Sequence, residues 1–256
     1  MLTLPPRVRA LGTRVDALTL REATEIVVSW VVEPSNTCRY VVTPNLDHAV
    51  LLAERVDFRE AYDGAALVLA DGTPLLWAAR LNGAKLPQRV AGSDLGPAVL
   101  ADLPAGTPVF LLGGAEEASR LAAAQITARW PQVKVCGRSS PAPGFEQDAE
   151  VCREICRQIR ESGAKLLIVG LGAPKQELWV HRHRAELPGM TVLCLGATID
   201  FIAGTKRRAP PWMQATGLEW LHRAGSEPRR LAARYMRDAV KLPGLLWRDR
   251  VERARG

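Results

Sequence analysis

The strongest constraint on the fold of this chain is a pattern that recurs five times: a short β-branched or Leu-rich run, a polar or Gly/Pro turn, then a stretch of helical period. Arg39-Tyr-Val-Val42 leads into Thr43-Pro-Asn-Leu-Asp-His-Ala-Val-Leu-Leu52, and Leu67-Val-Leu-Ala70 into Asp71-Gly-Thr-Pro-Leu-Leu-Trp-Ala-Ala-Arg80. Val109-Phe-Leu-Leu112 precedes Gly113-Gly-Ala-Glu-Glu117, Leu166-Leu-Ile-Val169 precedes Gly170-Leu-Gly-Ala-Pro-Lys-Gln-Glu177, and Thr191-Val-Leu-Cys-Leu195 precedes Gly196-Ala-Thr-Ile-Asp200. Strands that alternate with helices pair in parallel through helical crossovers. The predicted fold is therefore α/β and Rossmann-like, a mostly parallel sheet flanked by helices. Pro44, Pro74 and Pro174 mark helix starts, since the missing N–H of proline would be unpaired there anyway.

An open parallel sheet binds ligands beyond the carboxyl ends of its strands, where helix N-termini also point free N–H groups. Thr43, Asn45, Asp71, Gly113, Gly172, Gln176 and Asp200 all fall on that edge. Asp71, beside the uncrowded Gly72, fits a general base toward a hydroxyl or an N-cap, and spacing alone favours the cap. Thr43 and Asn45 have the same two readings. Gly170-Leu-Gly172-Ala-Pro-Lys175-Gln176 resembles a phosphate-cradling turn but lacks the third glycine of a dinucleotide fingerprint, and no P-loop is present. Gly113-Gly114 is a weaker version of the same signal. Phe145, in a turn-rich loop, could stack on a base or simply anchor that loop. No Asp-x-Asp occurs, His181 and His183 point apart at a spacing of two, and Cys152 and Cys156 read as core, so no metal or cofactor is expected.

Charge divides the chain. Of 34 basic and 27 acidic residues, 13 and 5 lie after residue 203, a net of +8 that leaves residues 1–203 at −1. The expected organisation is a catalytic domain over 1–203 and a basic helical appendage over 204–256. Within the appendage Arg230, Arg234, Arg237 and Lys241 form one helical stripe, with Leu231, Tyr235 and Leu242 as an apolar stripe beside it. That combination suits an anionic lipid surface or, with equal weight, a helix packed on the body with a solvated basic face. No run approaches the roughly 18 apolar residues of a membrane span, the start lacks a secretory signal, and five scattered cysteines suggest no disulfide framework. A cytoplasmic protein, peripheral on the inner membrane face, is the expectation.

Taken together, Thr43-Pro-Asn45, Ala70-Asp-Gly-Thr-Pro-Leu-Leu-Trp77, Leu86-Pro-Gln-Arg-Val-Ala-Gly-Ser-Asp-Leu95, Phe110-Leu-Leu-Gly-Gly114, Pro143-Gly-Phe145, Gly170-Leu-Gly-Ala-Pro-Lys-Gln-Glu177, Gly196-Ala-Thr-Ile-Asp-Phe-Ile-Ala-Gly204 and Gly217-Leu-Glu-Trp-Leu-His-Arg223 resemble the WecG/TagA/CpsF family of bacterial glycosyltransferases. The resemblance implies inverting, metal-independent transfer of N-acetylmannosamine or its uronic acid from a UDP donor to undecaprenyl-diphosphate-linked N-acetylglucosamine. It raises Asp71 to the favoured base, aligns Thr43 and Asn45 with positions near the sugar or acceptor, matches Gln176 to the Gln of the family's Ala-Pro-Lys-Gln motif as a further catalytic candidate, and aligns Asp200 and Phe145 with positions suited to uridine. It also implies a C-terminal segment that docks on the membrane and brings arginines to the diphosphate, with Arg223, Arg230 and Arg234 as the matching candidates. The register of the last ten residues stays unassigned, and the sequence neither demands nor forbids a homo-oligomer. A nucleotide-dependent oxidoreductase and a non-enzymatic membrane- or nucleic-acid-binding module are weaker alternatives; no nucleic-acid partner is expected.

Overall fold

The computed structural model describes residues 6–210, 212–213, 219–226 and 228–254. An antiparallel hairpin, β1 (Arg7–Ala10) and β2 (Thr13–Asp16), precedes helix α1 (Leu20–Val32). The chain then alternates: β3 (Arg39–Val42), α2 (Leu46–Glu54), α3 (Val56–Asp63), β4 (Leu67–Val68), α4 (Thr73–Leu81), α5 (Gly92–Asp102), β5 (Thr107–Gly113), α6 (Glu116–Arg129) and β6 (Val133–Ser139). It continues with α7 (Ala149–Glu161), β7 (Leu166–Gly170), α8 (Lys175–His183), β8 (Thr191–Cys194) and α9 (Thr198–Ala203), and ends in α10 (Glu219–Ser226) and α11 (Pro228–Ala254). Six strands form one parallel sheet in the order β4-β3-β8-β7-β5-β6. The α/β, Rossmann-like architecture expected from the sequence is thus the one observed.

Side chains of a strand alternate between faces, and the sheet uses both. Tyr40, Val42, Phe110, Leu112, Leu167, Val169, Val192 and Cys194 feed one apolar core. Val41, Val109, Leu111, Leu166, Ile168 and Leu193 feed the other, against α1, α5, α6 and α9. β7 and β8 lie at the centre and are buried along nearly their whole length, which explains why their sequences read as continuous hydrophobic runs. The chain leaves β7 toward β8 and β5 toward β6, in opposite directions across the sheet, so the order reverses between β7 and β5. The crevices of an open sheet lie at such points.

Two helix starts differ from expectation. α2 begins at Leu46 because the Asn45 side chain accepts the His48 N–H at 3.3 Å, so Pro44 stands before the cap. Pro174 is itself the N-cap of α8, after a cis Ala173–Pro174 peptide, not its first helical residue. Pro74 does stand in the first turn of α4. The hairpin and β6 complete elements that the five-fold pattern did not contain.

α11 returns to the start of the chain. Leu11 and Gly12 form the hairpin turn with positive φ, and both N–H groups donate to the Asp249 carboxylate at 2.8 and 3.0 Å. Arg9 Nε and Asn82 Nδ2 donate to it as well, at 2.9 and 2.8 Å. Leu242, Leu245 and Leu246 pack into the core beside this buried carboxylate.

Candidate active site

The carboxyl edge of the sheet holds three layers of construction. The first is close backbone approach at the β5/β7 crevice. A Cβ at Gly113 would lie 2.7 Å from the Gly170 carbonyl oxygen, and one at Gly170 would lie 2.8 Å from Ile199 Cδ1. Gly114, with positive φ, donates its N–H to Gly170 at 3.2 Å. Gly172 also has positive φ but faces open space, which leaves room for a ligand next to the turn.

The second is a clamp. Gln176 is buried, and its Oε1 accepts N–H groups from Gly172 at 3.2 Å and from Gly196 at 3.0 Å, tying the turn after β7 to the turn after β8. Its Nε2 donates to Glu177 Oε1 at 2.8 Å, which fixes the orientation of the amide. Glu177 is fully buried, and burial pushes its carboxyl up to about 7. Gln176 therefore shapes the edge from beneath.

The third is an ionic cluster around Asp71. Gly72, not Asp71, is the N-cap of α4. Asp71 donates its N–H to the Pro44 carbonyl at 2.9 Å, and its carboxylate, about a quarter exposed, lies 3.5 Å from Arg89 Nη1. Arg89 also stands 3.6 Å from Asp94 and 3.4 Å from Glu219, while Arg208 Nη1 donates to Asp94 at 2.6 Å and Arg208 Nη2 lies 4.0 Å from Glu219. Thr43 is buried beside Gly92 at the start of α5, where a Cβ would sit 3.3 Å from its Oγ1. Gly72 meets Asn45 in the same way, at 3.5 Å. Thr43, Asn45 and Asp71 are thus gathered at the ends of β3 and β4. Arg89, Asp94, Arg208 and Glu219 complete the cluster although sequence reasoning did not single them out for this edge. The signal available was the motif Gln88-Arg89-Val-Ala-Gly-Ser-Asp94, which carries no secondary-structure mark of its own.

The remaining candidates lie apart from this cluster. Phe145 is buried against Trp179 at a centroid distance of 6.4 Å, the position of a loop anchor. Lys175 pairs with Glu146 at 2.7 Å, and Asp200 with Lys206 at 3.3 Å. Arg234 and Arg237 reach Asp47 on α2, and Lys241 reaches Glu54. This part of the basic stripe points at the body, a correction to its reading as a lipid-facing or solvated surface: buried Asp47 draws the guanidinium groups inward. The outward face carries Met236, Val240 and Trp247, each about 70% exposed or more. Arg223 and Arg230 lie in α10 and α11, but their side chains are outside the described residues.

Away from the edge, Cys156, His183 and Glu186 bring one donor atom each within 4.8 Å of the others. His183 Nδ1 is already engaged by Glu186 Oε1 at 2.7 Å, and burial pushes the Cys156 thiol up to about 12, so this group reads as a structural hydrogen-bonded cluster. No described helix is long and apolar enough to cross a membrane. A family model described as "Glycosyl transferase WecG/TagA/CpsF family" matches residues 8–256.

Proposed function

The chain belongs to the WecG/TagA/CpsF family of glycosyl transferases, and from that premise we propose that it moves N-acetylmannosamine, or a related hexosamine or uronic acid, from a UDP donor to undecaprenyl-diphosphate-linked N-acetylglucosamine. Membership itself makes this a glycosyltransferase of cell-surface polysaccharide synthesis. The observation that carries this proposal is the partly exposed Asp71 carboxylate at the sheet edge with a guanidinium 3.5 Å away. A base and a cation side by side serve a reaction that takes up a proton at one end and releases negative charge at the other.

In this reaction Asp71 takes the proton of the acceptor hydroxyl as its oxygen bonds to the anomeric carbon. The bond from that carbon to the UDP oxygen breaks from the opposite face, its electron pair leaves on the diphosphate, and the configuration inverts. Arg89 and the helix N-termini of the edge stabilise the departing charge without a metal, with Arg223, Arg230 and Arg234 as further cations from the C-terminal helices. Gly113, Gly114, Gly172 and Lys175 border the phosphate path, and Asp200 faces the uridine side. Thr43 and Asn45 orient sugar or acceptor, and Gln176 and Phe145 act through the turns they hold.

The test is UDP release from UDP-N-acetylmannosamine, with and without a short-chain lipid-diphosphate N-acetylglucosamine acceptor, in the presence of chelator. Acceptor-dependent release that survives chelation is expected. Asp71→Asn is expected to lose about 10²–10⁴-fold in turnover while still binding UDP, the range for a general base. Normal turnover in that variant removes Asp71 from the role, and absence of UDP binding to the wild type removes the donor.

The acceptor lies in a membrane, and the exposed face of Met236, Val240 and Trp247 is the surface offered to it, on the cytoplasmic side. Val240→Ser with Trp247→Ser is expected to abolish sedimentation with anionic vesicles while the melting temperature holds. Retained sedimentation would move the contact elsewhere.

A further inference from the structure

Arg208 is the residue of the edge whose bonding is least complete. Its Nη1 is held by Asp94, with a longer contact to the Ser93 carbonyl oxygen at 3.5 Å, yet its Nε and Nη2 are shut off from solvent with no hydrogen-bond partner. Buried guanidinium donors left unpaired are costly, and an acceptor brought by a bound anion would relieve that cost. Nη2 stands 4.0 Å from the Glu219 carboxylate, too far for a hydrogen bond. The same Glu219 oxygen stands 3.4 Å from Arg89 Nη1. One carboxylate oxygen therefore sits between two guanidinium groups, the position an anionic ligand would take.

Charge and position agree with that. Among the described residues, Asp71, Asp94 and Glu219 against Arg89 and Arg208 sum to −1, and without Glu219 to zero, with guanidinium donors open to an anion. Glu219 is the first residue of α10, so a change of its side-chain rotamer or a shift of that helix vacates the position. We infer that Arg208, together with Arg89, forms an anion subsite for the diphosphate of the sugar nucleotide, and that Glu219 occupies this subsite until the ligand displaces it. The inference rests on the proposed donor for the identity of the anion, but the site itself is read from the cluster.

The experiment is calorimetric titration of the full chain with UDP and, separately, with inorganic pyrophosphate. Glu219→Gln is expected to bind both about 5- to 20-fold tighter, a coupling of the size usual between competing sites. Arg208→Gln is expected to weaken both, and in the double variant the gain from Glu219→Gln should disappear; Arg208→Lys, which keeps the charge but not the fork, should recover part of the binding. Unchanged or weaker binding by a folded Glu219→Gln makes Glu219 a structural counter-ion and overturns the inference. If pyrophosphate responds to Glu219 but UDP does not bind at all, the subsite stands and the donor reading falls. If UDP binds with no response to either residue, the donor reading stands and the subsite falls.

Discussion

The two ends of the C-terminal helical region are attached to the body by different chemistry. At the far end, Asp249 is buried and accepts four donors, two of them backbone N–H groups of the hairpin turn, with Leu245 buried and Leu242 and Leu246 partly buried around it. At the near end, beside the site, attachment runs from partly exposed cations of α11 to acids of α2, Arg234 and Arg237 to the buried Asp47 and Lys241 to Glu54, and from Glu219 to the arginines of the edge. A buried carboxylate that accepts two backbone N–H groups holds its place; cations left about a third or more exposed exchange their partner more readily with water, salt or another anion. One helical region is thus anchored at one end and exchangeable at the other, with the exchangeable end over the cluster around Asp71.

The largest effect belongs to the anchor. Asp249→Ala removes the acceptor of two turn amides and of Asn82, and is expected to cost about 3–5 kcal/mol in urea or thermal unfolding. A cost below about 1 kcal/mol would mean that the far end is no firmer than the near one.

Next comes the floor beneath the near end, where the buried Glu177 and His48 titrate in opposite senses. Burial raises Glu177 from an ordinary 4.5 to about 7, so its contribution to stability is complete below pH 4.5 and is lost as pH rises through 7. Burial lowers His48 from 6.5 to about 4, so its contribution is complete above pH 6.5 and is lost as pH falls through 4. The two slopes oppose each other between pH 4.5 and 6.5. Glu177→Gln removes only the first, so the stability of the variant relative to wild type is expected to climb by up to about 3 kcal/mol from pH 4.5 to 7. Parallel curves from urea melts across that range would show that Glu177 keeps its ordinary acidity.

The smallest effect is at the near end itself. Lys241 and Glu54 are each about 40% exposed, and Lys241→Ala is expected to cost about 0.5 kcal/mol or less, vanishing at high salt. A larger, salt-resistant loss in denaturant titrations would erase the contrast between the two ends.

The parallel strands that alternate with helices were legible in sequence because their side chains report burial on both sheet faces. Leu166-Leu-Ile-Val169 could hardly be anything but a central strand. β6 was less visible, since Val133–Ser139 is an edge strand with most of its side chains part-exposed, and its composition resembles a surface segment. The hairpin β1–β2 was hidden for another reason: its turn, Leu11-Gly12, takes its support from Asp249, some 238 residues away in the chain. Helix starts went astray by one or two residues where Asn45 took the cap from Pro44.

At the site, Thr43, Asn45, Asp71 and the glycines could be placed on the carboxyl edge because strand direction alone decides which turns lie there. The ordered motifs further identified the family, since each turn keeps its own small constellation of residues. What the tertiary structure alone decided is which charges meet. Arg89, Asp94, Arg208 and Glu219 come from a loop, from α5, from the segment after α9 and from α10, and no local pattern relates them. Coulomb attraction acts through space and not along the chain, so the turn of the basic stripe toward Asp47, like the position of Glu219 between two guanidinium groups, follows only once the helices are packed.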